Sequence, residues 1–319
     1  MTASGGDEEL SPDPGRHEIL GHVMGARPVI CAIDEGDASR HPVRAATWLA
    51  QALDAELVLA HALDPMGVGA RPRAEMVARD ITDADLVQAA RRAARLLLDD
   101  AARSVTGVEV TTELPEGQVV EELRRLADAR WAALLVAGTA PRGGIERVLV
   151  GSVSGALAAT APCPLVAVPR GAALEEPGPV VVGYDGSSHS LRAARHAAAL
   201  AARLGRELVL LHVTGDEGVR PDEDLARELY AAGVAGLGDD PGRPALDLKV
   251  RLAVEEGDPA QVLAAVGRKQ AAALLVTGTR GRNALSSALL GSVSVGLVRV
   301  AGRPVALVSA SAGETPAAR

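Results

Sequence analysis

The sequence predicts an α/β protein made of two domains, each a parallel sheet of five strands with helices on both faces. Three observations carry that expectation. Short apolar runs of strand length alternate with longer amphipathic stretches, the pattern of a parallel sheet with right-handed crossovers. The alternation occurs twice with the same order of elements. The two occurrences also superimpose by subtraction. Asp34 and Asp185 are 151 apart, as are His61 and His212, while Gly117 and Gly257, Gly138 and Gly278, Gly151 and Gly291, and Pro164 and Pro304 are each 140 apart. The difference of 11 falls between the second and third strands, so the first copy carries an insertion around residues 65–82.

Residues 1–27 are rich in Gly, Asp, Glu and Pro and read as a flexible tail. The first domain spans 28–170. Its strands are expected at 28–33, 56–62, 108–112, 132–137 and 164–168, with helices at 42–53, 83–102, 118–129 and 151–160. A loop fills 138–150. Residues 171–179, with Gly, Pro and paired glutamates, read as a linker. The second domain spans 180–309, with strands at 180–184, 207–213, 246–253, 271–277 and 304–309. Its helices are expected at 188–204, stopped by Gly205, and at 222–235, 259–268 and 291–301. Residues 310–319 are a second tail.

Composition narrows the function classes. The chain of 319 residues is 48 % apolar, enough for two ordinary cores, yet only 1 % aromatic and without Phe. Base stacking on aromatics is therefore scarcely available. The net charge of −8 argues against nucleic acid or an anionic membrane as partner. Cys31 and Cys163 sit in apolar strand contexts and read as buried reduced thiols. The N-terminus lacks a basic start followed by an apolar core, and no apolar run approaches the roughly 18 residues of a membrane span. A cytoplasmic protein is the expectation.

The most informative stretch lies late in the second domain. Gly278-Thr279-Arg280-Gly281 follows an apolar strand; nine residues later Gly291-Ser292 opens a helix. Such a layout presents backbone N–H groups, a hydroxyl and the positive end of a helix to one point, which suits a phosphate. Glycines there let a ligand reach the backbone. In a doubly wound sheet, Asp185 at the end of the domain's first strand faces the same crevice when its first and fourth strands are neighbours.

Together with Asp185-Gly186-Ser187 and with Ala301-Gly302-Arg303-Pro304 before a Val-rich last strand, this pattern resembles the universal stress protein family. The resemblance covers nearly the whole chain as a tandem pair. It implies Rossmann-like domains of the adenine nucleotide alpha hydrolase-like type, and ATP as ligand, with Mg²⁺ admissible beside the phosphates. Carried over by motif, the ATP-binding residues are Asp185, Val213, Gly278, Gly281, Gly291 and Ser292, followed by Val293 and Ser294, with Arg280 and Arg282 as the nearest cations. Plainer readings stand beside these: Asp185 as a helix cap, the two arginines as solvated loop residues.

The first copy offers a weaker second site at Asp34, Gly138, Gly143, Gly151, Ser152, Val153 and Ser154. Pro141 replaces the second loop glycine and removes a donor. Glu35 and Asp37 add negative charge, unfavourable to phosphates by about 1 kcal/mol each in a wet site. The second copy is thus expected to bind better. The resemblance also implies that the last strands, 164–168 and 304–309, pair the copies inside one chain, and leaves room for a homodimer.

Other constellations fail. Lysine occurs only at 249 and 269, so there is no P-loop; no Gly-x-Gly-x-x-Gly follows a first strand. The histidines lack metal-ligand spacing, so no metal centre is expected. His189 and His196 read as surface and core-edge residues, His61 and His212 as hydrogen-bonded histidines at strand ends. No base accompanies Ser292 or Ser187, so no catalytic residue is assigned and ATP hydrolysis is expected to be slow at most. The leading reading is an ATP-binding stress regulator. A nucleotide-independent scaffold and a nucleotidyl-transfer enzyme are the alternatives.

Overall fold

In the computed structural model of the chain, residues 27–34, 40–68, 82–139, 152–214, 222–235, 248–281 and 290–312 are described. The first copy runs β1 (Val29–Ala32), α1 (Arg40–Leu53), β2 (Leu57–Ala60), α2 (Pro65–Val68), α3 (Asp83–Ser104), β3 (Val110–Glu113), α4 (Val119–Ala129), β4 (Leu134–Gly138), α5 (Ser152–Thr160) and β5 (Leu165–Val168). The second runs β6 (Val180–Gly183), α6 (Ser188–Leu204), β7 (Leu208–Thr214), α7 (Glu223–Ala235), β8 (Val250–Glu256), α8 (Pro259–Lys269), β9 (Leu274–Gly278), α9 (Ser292–Val300) and β10 (Val305–Val308).

The strands form one sheet in the order β3-β2-β1-β4-β5-β10-β9-β6-β7-β8. Within each copy all neighbours are parallel, and the first and fourth strands are adjacent: Val29 pairs with Leu134, Val180 with Leu274. Between copies, β5 and β10 pair antiparallel, with Val166 opposite Ala306. Each last strand thereby covers the edge that the other would expose.

The duplication extends to backbone detail. Gly205 closes α6 with φ +63°, and Asp54, 151 residues earlier, closes α1 with φ +51°. Trp131 and Ala271, 140 apart, both take positive φ at the turn before the fourth strand. A left-handed residue is costly outside glycine, so its reappearance reflects a shared turn geometry.

Local sequence explains most boundaries. α1 starts two residues before Pro42, which is tolerated because N–H groups in the first helical turn have no intrahelical partner. α3 opens with a capping box: the Asp85 N–H donates to Thr82 Oγ1 at 3.1 Å, and the Thr82 N–H returns to Asp85 Oδ2 at 3.0 Å. Two elements differ from expectation. α2 is a short helix inside the first copy's insertion. β8 begins at Val250 and runs past Ala253 to Glu256, since β7 extends to Thr214 and pairs with it residue for residue. The expected loop at 138–150 lies, from 140 on, outside the described residues.

Two apolar clusters fill the space on either side of the sheet, and both copies contribute to each. One joins Leu49, Leu98, Leu200 and Leu229 from α1, α3, α6 and α7. The other joins Leu123, Leu157, Leu263 and Leu297 from α4, α5, α8 and α9. Without Phe, close approach of backbones replaces bulk. Ala193, Ala197 and Ala201 of α6 are fully buried, and α6 packs against α1. Arg203 on α6 donates to the Leu53 carbonyl at the end of α1.

Candidate functional site

At the carboxyl ends of β6, β7 and β9 lies a cavity of about 220 Å³. Its position follows from the strand order. β6 and β9 are neighbours whose following helices leave on opposite faces, α6 with one apolar cluster and α9 with the other, which opens a crevice between them. Asp185, Val213, Gly278, Arg280, Gly281, Gly291, Ser292, Val293 and Ser294 all line it. Arg282 lies outside the described residues.

Each glycine sits where a side chain would be crowded. A Cβ on Gly278 would come within 3.0 Å of the His189 carbonyl oxygen, at the start of α6. One on Gly281 would lie 3.0 Å from Asp185 Oδ2, so loop backbone and carboxylate are already in contact. One on Gly291 would approach the Thr279 carbonyl at 3.3 Å; the Gly291 N–H donates to that same oxygen at 2.7 Å. The Ser294 hydroxyl, buried, donates to the Gly278 carbonyl at 2.7 Å and ties α9 to the loop.

The beginning of α9 differs from those of α6 and α8. Ser187 and Asp258 cap the latter two with side-chain oxygens, whereas Gly291 gives α9 no side-chain cap. The first N–H groups of α9 thus meet the cavity at the positive end of the helix dipole. Ser292 is exposed beside them.

Asp185 combines its two readings. Oδ1 accepts from the Ser187 N–H at 2.9 Å, shaping the turn into α6, and Oδ2 faces Gly281. The carboxylate therefore borders the cavity and orders the helix entry together. Beside it, burial first, and then the Asp222, Asp185 and Glu228 carboxylates, raise the Tyr184 phenol above its ordinary pKa, so it stays neutral. His212, nearly buried, is bonded through Nδ1 to the Tyr184 carbonyl at 3.0 Å, and His61 makes the same bond to Ile33 at 2.9 Å. Both are hydrogen-bonded strand-end histidines.

Several lining residues escaped the sequence reading: Gly183, Leu211, Pro259, Leu263 and Thr277. They sit inside strands or in the first two turns of α8, and only the strand order brings them to the crevice. Gly183 carries information. A Cβ there would fall 2.9 Å from Leu263 Cδ1, and the first copy has Ala32 at this position, with Leu123 as the counterpart of Leu263.

In the first copy, Asp34 and Gly138 follow or end adjacent strands, and Ser154 is buried like its counterpart Ser294. Val153 is half-buried at the start of α5. Gly143 and Gly151, with Glu35, Asp37 and Pro141, lie outside the described residues, as does the Ser152 side chain.

The family model for the universal stress protein family matches residues 25–169 and again 178–309. The chain belongs to the universal stress protein family. A universal stress protein of Mycolicibacterium smegmatis is 32 % identical over 291 residues, covering 88 % of this chain and 96 % of the relative. One from Mycobacterium tuberculosis is 29 % identical across 87 % of this chain and 94 % of its own. Among solved structures, a universal stress protein from Archaeoglobus fulgidus shares the fold at a TM-score of 0.63 and 18 % identity, covering 88 % of this chain and 98 % of that one. This universal stress protein carries the family unit twice. Among its described residues no helix is long and apolar enough to cross a membrane, and no cluster of three His, Cys, Asp or Glu could hold a metal ion.

Proposed function

We propose that this universal stress protein is an ATP-binding regulator acting in the cytoplasm, and that the nucleotide seats in the second copy. The reading is supported above all by one observation: Asp185, and 93 residues later Gly278, Gly281 and the uncapped Gly291-Ser292 start of α9, line a single cavity. Phosphates would lie against the loop backbone and the α9 N-terminus, where N–H donors and the helix dipole favour negative charge. Arg280 borders that end. The sugar and base would extend toward Val213, Leu211 and Leu263, with Gly183 leaving room that Ala32 takes up in the first copy. Mg²⁺ would accompany the triphosphate. Binding would order the loop and so change the surface offered to a partner.

Calorimetric titration with Mg²⁺–ATP tests this. Saturable binding at about 1 mM ATP or below is expected, with one strong site per chain. Gly281→Val forces a branched side chain against the Asp185 carboxylate and should weaken binding at least about tenfold, about 1.4 kcal/mol. No heat of binding at that concentration refutes ATP as the ligand. Unchanged affinity in the folded variant refutes the loop as its seat.

A further inference from the structure

The ten-stranded sheet ends in two edges that are not alike. β3, at one end, has four residues, Val110–Glu113, and its Glu113 is paired to Arg130. β8, at the other end, has seven residues, Val250–Glu256, with no proline or glycine among them. Sheet edges are ordinarily blunted by shortness, proline, a bulge, charged side chains or a covering segment. β8 is long and regular, its charges Arg251, Glu255 and Glu256 are of both signs, and its Val254 is 47 % exposed. Among the described residues no strand pairs with its outer side.

The direction of its backbone groups can be read from the bonds at its two ends. The Lys249 carbonyl accepts from the Leu208 N–H at 2.8 Å, and the Gly257 N–H donates to the Thr214 carbonyl at 3.4 Å. Odd-numbered residues of β8 thus turn their peptide groups toward β7. In a parallel ladder alternate residues bond to one side, so Val250, Leu252, Val254 and Glu256 hold their N–H and C=O groups outward.

The strand is also complementary to itself. Placed antiparallel to a second β8 about a twofold axis at Ala253, Leu252 faces Val254 and Val250 faces Glu256, which pairs the outward groups with one another. In that register Arg251 stands opposite Glu255 twice, at non-hydrogen-bonded positions where side chains come closest. Shifting the axis to Leu252 sets Arg251 opposite Ala253, and shifting it to Val254 sets it opposite Gly257. Of these three, only the Ala253 register matches opposite charges that both lie within β8; the Leu252 register would pair Glu255 with Lys249, which precedes the strand. Arg251 already holds Glu207 through Nε and Gln270 through Nη2, and since the group has five N–H donors in all, its Nη1 donors are left for a second carboxylate.

We infer that β8 is a dimerisation edge, and that a second copy of this chain pairs with it antiparallel about Ala253, with Arg251 of each chain against Glu255 of the other. The two sheets then run on as one. β3 offers no such register, because its only charged residue, Glu113, would have no basic residue opposite it in a second β3.

Analytical ultracentrifugation of the full chain from about 1 to 100 µM tests the inference, since association depends on concentration by mass action. A monomer–dimer equilibrium is expected. Val254→Pro removes one outward N–H that takes no part in the β7 ladder, and should give a monomer with an unchanged circular dichroism spectrum. Arg251→Glu and Glu255→Arg should each weaken the dimer at least tenfold, and the double variant should restore it. A monomer across the whole range, a dimer indifferent to Val254→Pro, or folded single variants whose combination fails to recover association would each overturn it.

Discussion

Gly278, Gly281 and Gly291 act through what they lack. Each places backbone where a methyl group would press on the His189 carbonyl, the Asp185 carboxylate or the Thr279 carbonyl. Their spacing was legible in the sequence because a glycine is visible there whatever surrounds it. Gly183 was equally visible and meant nothing, since its partner Leu263 lies 80 residues away on another element. His196 shows the same limit. The sequence marks it as a core-edge residue; the structure adds that burial, reinforced by the Arg192 charge, pulls its pKa from 6.5 to about 4 against an opposing bond to the Ala312 backbone. The folded chain therefore keeps this ring neutral while the unfolded chain protonates it. Stability is full above about pH 6.5 and falls as pH drops toward 4, by at most ~1.4 kcal/mol per pH unit for this one proton. Urea midpoints at pH 7, 5.5 and 4.5 should decline in the native protein and decline less in His196→Gln. Parallel declines would assign the acid sensitivity to other groups.

At the scale of elements, helix starts divide between those capped by a side chain and those without such a cap, α4 at Gln118 and α9 at Gly291. α3 is secured by Thr82 and Asp85, α6 by Ser187 and α8 by Asp258, while α9 begins at an unassisted glycine beside the cavity. Thr82→Ala should cost about 0.5–2 kcal/mol in chemical denaturation. It should leave Mg²⁺–ATP affinity unchanged, because α3 lies in the other copy; a matching loss of affinity would break the separation drawn between capped and ligand-facing helix starts. Most elements were readable from periodicity. α2 was not, being a single turn within an irregular insertion. Nor was the end of β8, where Glu255 and Glu256 look like a turn in isolation. They are strand residues because β7 supplies partners, Val213 and Thr214, and because an edge leaves their carboxylates in water.

Taken whole, the molecule is a single sheet with two shared apolar layers, although its sequence is a plain duplication. Leu200 of α6 and Leu49 of α1 belong to one cluster, Leu297 of α9 and Leu157 of α5 to the other. Ser309, after β10, donates to the Ala161 carbonyl of the first copy at 2.7 Å. Residues 25–169 and 178–309 each match the family alone, yet neither keeps its last strand covered without the other. Scanning calorimetry should therefore give one cooperative transition for the intact chain. Two resolved transitions would mean that the seam between β5 and β10 is weaker than its burial implies.

That seam has a further consequence. Because β5 and β10 run in opposite directions, every strand of one copy points opposite to every strand of the other. The strand tips that carry Asp34 and those that carry Asp185 emerge on opposite rims of the molecule. A protein docking over one rim has no view of the other. A molecule held at one rim is thus out of reach of the strand tips at the other, and any coupling between the rims has to run through the sheet they share.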